Sequence, residues 1–158
     1  MDESTIDALN KALDGFDERA RKQRIESEAS REASARRDLE FGRHRDAVIE
    51  PVLQKFKALL SDRGHEANVS KTDRGEGSYS SISLSLVPSG VELERRGAIY
   101  PGISFTLQTT GGVSVHEDTR VPGKSGMSLS KGPFSLEELT GSKVQELTLE
   151  AIKEILGK

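Results

Sequence analysis

The sequence predicts an α+β fold. The expected body has two layers, an antiparallel meander of four or five strands covered on one face by two helices, and a charged helical N-terminal arm precedes it. Three observations carry this reading. Apolar residues recur at helical spacing near 47–62 and again near 143–156. Between those segments the period drops to two, with Ile82, Leu84 and Leu86 alternating with Ser81, Ser83 and Ser85. Between Asp17 and Asp38, 13 of 22 residues are charged and Ile25 is the only large apolar side chain, so that stretch cannot line a core. The chain is therefore divided into an arm, residues 1–40, and a globular domain, residues 41–158.

The arm opens with Ser4 and Thr5 as candidate helix caps and Asp7 in the first turn. Ile6, Leu9, Leu13 and Phe16 follow at spacings of 3, 4 and 3, a short apolar stripe that Asp14-Gly15 interrupts. Its continuation falls on Ala20, Gln23, Ser27, Ser30, Ser34 and Arg37, which argues against a long coiled coil. Residues 17–38 carry the i,i+4 pairs Asp17/Arg21, Glu18/Lys22 and Glu32/Arg36 and are expected to be a solvated, partly helical spacer.

In the body, Val48, Ile49, Val52, Leu53, Phe56, Leu59 and Leu60 form a core-facing helical stripe. Pro51 within it implies a kink, or a helix start near Glu50 with the proline in the first turn. Gly64 ends the helix. Strands follow at Ala67–Val69, Ser80–Val87 and around Ile103–Leu107, with a weaker piece at Val91–Leu93 and a turn at residues 73–77. Register decides the next hairpin. A two-residue Gly111-Gly112 turn would set Leu107 against His116, whereas a three-residue loop, Thr110 to Gly112, sets Leu107 against Val115 and Thr109 against Val113. The second keeps apolar residues together, and a bulge with a glycine at positive φ is expected there. Ser142 with Gln145 marks the start of the last helix, whose stripe is Val144, Leu147, Ala151, Ile152, Ile155 and Leu156, and Ser135 with Glu138 marks a short turn before it. The sheet then has one apolar face and one face of Ser, Thr, Gln108 and His116.

Composition limits the chemistry. There is no Cys, hence no disulfide, thiol nucleophile or Cys-ligated metal. A net charge of −3 argues against a chain dominated by phosphate contacts, and the whole of it lies in residues 1–40, which hold 11 acids and 8 bases. The acidic start Met1-Asp2-Glu3 lacks an apolar signal core, so a cytoplasmic protein without membrane attachment is expected. Gly123-Lys124-Ser125 lacks the glycine of a phosphate loop, since Asp118 stands five places before Gly123. The loop 120–131 nonetheless collects Arg120, Lys124 and Lys131, a candidate anion site. In His116-Glu117-Asp118 alternation directs Glu117 away from the other two, and no metal-binding spacing exists, so neither metal nor cofactor is expected. No serine sits in a Gly-x-Ser-x-Gly elbow. Glu92 and Glu94, followed by Arg95-Arg96, suggest a salt-bridged edge. Tyr79 is the one aromatic residue on the polar face, a poor platform for stacking bases.

The expectation is a non-catalytic protein-interaction module: an adaptor, accessory subunit or chaperone-like oligomer. Ile6, Leu9, Leu13 and Phe16 of the arm, and Ser83, Thr106 and His116 of the sheet face, would meet a protein partner or a second copy. The alternative is a nucleic-acid-associated protein using the Arg-bearing arm and the basic 120–131 loop. A third reading is small-molecule or anion binding over the Ser/His face.

Overall fold

The computed structural model describes residues 2–75, 79–92, 100–123 and 125–157. Lys124, Leu93, the Glu94-Arg95-Arg96 edge and the far end of the 73–77 turn lie outside these described residues. The chain forms two compact units, Met1–Arg36 and Arg37–Lys158.

The first unit belongs to one helix, α1, which spans Glu3–His44. Asp2 supplies its cap, accepting a 2.8 Å bond from the Thr5 amide, in place of the expected Ser4 or Thr5. The spacer expected to be partly helical is helical throughout. It runs through Gly15 and on through residues 17–38. Sixteen of the 22 residues of that stretch are Ala, Arg, Glu, Lys or Gln, strong helix formers, and a single glycine costs only about 1 kcal/mol. Its exposed Glu18/Lys22 pair, 4.0 Å apart, adds a few tenths at most.

In the second unit the end of α1 enters the core through Phe41. A π-helical turn, Arg45–Ile49, then leads into α2, Glu50–Asp62. Pro51 accounts for the turn: it has no amide to donate to the Ala47 carbonyl, and its ring crowds that position. The widened turn answers with a bond from the Glu50 amide to the carbonyl of Arg45, five residues back. Proline occupies the first turn of α2, as expected. The buried Arg45 guanidinium stitches this corner to the end of the first strand, donating to Thr72 O (3.3 Å) and pairing with Asp46 (3.0 Å) and Asp73 (2.9 Å). Of the predicted α2 stripe, Leu59 faces outward instead.

Five strands form one antiparallel meander in the order β1 (Glu66–Thr72), β2 (Ser81–Val87), β3 (Gly102–Leu107), β4 (Val113–Asp118) and β5 (Ser128–Phe134). Ile82, Leu84, Leu86, Ile103, Phe105, Leu107, Val113 and Val115 are buried on one face, under α2 and α3, Gly141–Leu156. Thr140 rather than Ser142 caps α3, accepting from the Lys143 amide at 3.2 Å. Ser135 and Glu138 bond reciprocally in the turn before it, a capping box. His44 Nε2 donates to Leu139 O at 2.7 Å and ties the end of α1 to that turn.

The β3–β4 hairpin corrects the expected register by two residues. Leu107 pairs with Val113 and Phe105 with Val115, so the loop residues are Thr109, Thr110 and Gly111. Gly111 takes a φ of +99°, and its amide closes a turn on Gln108 O at 3.0 Å. Gly112, which follows the loop, has no room for a side chain, because a Cβ there would stand 2.7 Å from Pro133 Cβ. Parity in β2 to β4 is as expected, but Tyr100, which the sequence reading left off the polar face, borders a cavity there. Residues 128–131, read from the sequence as part of the basic 120–131 loop, belong instead to the edge strand β5.

Candidate functional site

Three features stand out against this frame, the first on α1 alone. Ile6, Leu9, Leu13 and Phe16 lie along one side of the helix and are exposed to 42%, 50%, 50% and 62% of their surface. Large apolar side chains at i, i+3, i+7 and i+10 on a helix form a continuous strip. The strip has no cover among the described residues.

The second feature is the polar sheet face, where the pairing register sorts the side chains into cross-strand rows. Ser70, Ser83, Ser104, His116 and Ser130 stand opposite one another across all five strands. Asn68, Ser85, Gly102, Asp118 and Ser128 make the next row, and Thr72, Ser81, Thr106 and Ser114 the third. The predicted residues Ser83 and His116 therefore share a row, with Thr106 in the neighbouring one. The hydroxyls interact: Ser70 Oγ and Ser83 Oγ are 2.9 Å apart, and Ser85 Oγ donates to Asn68 O at 3.4 Å. His116 is held from both sides, with Ser130 Oγ 3.1 Å from Nδ1 and Ser128 Oγ 3.0 Å from Nε2. Asp118 is buried and gripped by the Arg120 fork, which donates from Nε to Oδ1 (3.0 Å) and from Nη2 to Oδ2 (2.6 Å). The Arg120 side chain and amide bonds hold the Asp118 carboxyl below the ordinary carboxylate range against the opposing effect of burial.

That lock has a pH signature. A depressed folded-state pKa stabilises the fold above the unfolded value, about 3.9, and the contribution is lost as pH falls through the folded value. Arg120→Ala is expected to lower stability at pH 7 only modestly, because the guanidinium is half exposed. The gap between parent and variant, followed by urea unfolding, should stay level from pH 6 to 8 and close below about pH 4. A gap that persists undiminished at pH 2 would show that Arg120 acts through packing instead.

The third feature is a cavity of about 680 Å³ on the helix-facing side of β5, bordered by Glu117, Met127, Leu129 and Lys131 from the sheet and by Glu150 and Lys153 of α3. Glu117, in a core-facing position of β4, is 5% exposed at its side chain. Lys131 Nζ sits 3.2 Å from its Oε1 and 3.1 Å from Glu150 Oε2. Of the predicted anion-site residues, Arg120 and Lys131 are thus each engaged by carboxylates of this chain, and on opposite faces of the sheet. Among the described residues no group of His, Asp and Glu is arranged to hold a metal ion, and no helix is long and apolar enough to cross a membrane.

No family model, curated protein or solved structure matches the chain. Function must be argued from these surfaces.

Sequence reasoning found the stripe and the polar face. It missed Arg45, Lys131 as the partner of Glu117, and the lock between Arg120 and Asp118. A signal existed for the buried pair: parity sends Glu117 to the core side, where an isolated acid demands a cation.

Proposed function

We propose that this chain is a non-catalytic protein-interaction module that docks through the apolar strip of α1. The exposure of Ile6, Leu9, Leu13 and Phe16 carries the reading. Four large apolar side chains in line on a water-facing helix are disfavoured unless a complementary surface covers them, and an amphipathic helix laid in an apolar groove is an established mode of recognition. The strongly charged remainder of α1 keeps the helix in water up to that strip. The pairing of Arg120 with Asp118 and of Lys131 with two glutamates leaves the nucleic-acid reading with less support.

The test compares the full-length protein with a Leu9→Asp/Leu13→Asp variant, in affinity capture and in light scattering coupled to gel filtration. The parent should bind a protein partner, or itself, at stoichiometric level and hold it at 0.5 M NaCl. The variant should lose at least about 100-fold in affinity, since charged side chains would enter an apolar groove, while its helical circular dichroism is unchanged. Association that is equally strong in the variant sinks the proposal. Association that collapses with salt and requires nuclease-sensitive material would instead support phosphate binding.

A further inference from the structure

The polar sheet face is independent of that strip and has a chemistry of its own. Its middle holds a cavity of about 320 Å³, at the lower end of the roughly 300–1,000 Å³ typical of small-ligand sites. Ser70, Ser83, Ser85, Ser104, His116 and Asp118 line it, and Tyr100, 54% exposed, borders it. A gap in the rows lies at Gly102, between Ser85 and Asp118. No other residue fits there, because a Cβ would overlap the Leu84 carbonyl oxygen. The rows are therefore interrupted where the cavity lies, with hydroxyls, an imidazole and a carboxylate around the opening.

The lining selects a ligand by what it contains. Among the described residues no Lys or Arg lines it, so an anion finds no fixed countercharge among them. The one carboxylate among the described lining residues, Asp118, is already neutralised by Arg120, so a cation gains little. An apolar ligand would strand the hydroxyls without water. Each serine, by contrast, offers one donor and two acceptors, and a carboxylate offers about four acceptor sites, of which Arg120 takes three on Asp118. Ser104 makes no side-chain hydrogen bond among the described residues, and its hydroxyl is available to a ligand. Repeated donor–acceptor groups about 4.8 Å apart along each row, beside one exposed phenol ring, match a neutral polyhydroxylated molecule with an apolar ring face.

We propose that this face binds a neutral saccharide, with Ser83, Ser104 and Asp118 bonding its hydroxyls, His116 bordering the site, and Tyr100 covering one face of a sugar ring. The site lies within residues 37–158 and does not depend on the α1 strip.

The full-length protein is screened on an array of immobilised neutral mono-, di- and oligosaccharides together with sialylated and sulfated ones, and each hit is titrated in solution by amide NMR. Neutral saccharides are expected to bind, with dissociation constants on the order of 1 mM, and to shift the amides of Ser83, Ser104 and His116. Tyr100→Ala and Ser104→Val should each weaken binding about tenfold or more with an unchanged melting temperature, whereas Leu9→Asp/Leu13→Asp should bind as the parent does. The proposal is overturned if no neutral saccharide binds, if only charged glycans bind, if the shifts map away from this face, or if both face variants bind as the parent does.

Discussion

Phe41→Ala should lower the stability of the body by about 3–5 kcal/mol, whereas Phe16→Ala, on the same helix, should change it by less than about 0.5 kcal/mol. The two phenylalanines have opposite surroundings. Phe41 has none of its surface exposed and packs in the cluster that includes Ile49, Leu53 and Phe105, whereas Phe16 exposes 62%. Truncating the first removes a ring and leaves a void whose walls, backed by a helix and a five-stranded sheet, cannot fully collapse. Truncating the second removes surface that water already reaches. Thermal unfolding, followed at a wavelength that reports tertiary packing, should show a drop of roughly 10–20 °C for Phe41→Ala. Equal small shifts for both variants would mean that the end of α1 frays from the body and that the core is complete without it. A loss of partner binding in Phe16→Ala with no loss of stability would separate the two tasks of one helix: its far end exposes a strip, and its near end completes a core.

The contrast between the two residues also shows what was legible without coordinates. The spacing of Ile6 to Phe16 identified an amphipathic helix, and the α+β class with helices on one sheet face followed from a change of period from 3.6 to 2. Residues 17–38 are more helical than their burial pattern implies, because that stretch has almost nothing to bury. Local propensity and continuity with a nucleated helix were enough. The Leu107 register missed by two for a different reason. Apolar parity distinguishes odd from even offsets only, and the remaining choice lay with which of Gly111 and Gly112 takes positive φ. Parity likewise put Ser83, Thr106 and His116 on one face. The rows they form, and the position of Asp118 beside Ser85 across Gly102, depend on the offsets of four strand pairs at once, which no single strand encodes. The grip of Arg120 on Asp118 was within reach, being two residues away along the chain, but nothing in the sequence distinguishes a locked arginine from a free one.

The buried Glu117 carries the second large effect. Lys131→Met is expected to cost about 2–3 kcal/mol, well beyond the 0–1 kcal/mol of a surface ion pair. The reason is asymmetry. Lys131 faces two carboxylates, and the one it shares with the sheet, Glu117, is almost fully enclosed. Removing the cation leaves that carboxylate beside Met127 and Leu129 without its ion-pair partner, and the penalty is the desolvation of an unpaired charge rather than the loss of one contact. The cavity at this point and the partial exposure of Lys131 admit water, which keeps the figure below that for a sealed pair. Removing both charges should then recover most of the loss: Glu117→Gln/Lys131→Met is expected within about 1 kcal/mol of the parent, a coupling of about 1–2 kcal/mol in a double-mutant cycle read by urea unfolding. Additive losses would instead assign the role of Lys131 to its bond with Glu150 on α3, making it a clamp between helix and edge strand. Coupling of the expected size assigns it to the sheet, where an inward-pointing charge beside an open edge also discourages β5 from pairing with a stray strand. That is consistent with a chain whose proposed contacts are made elsewhere, by the strip of α1 and by the hydroxyl rows on the opposite face.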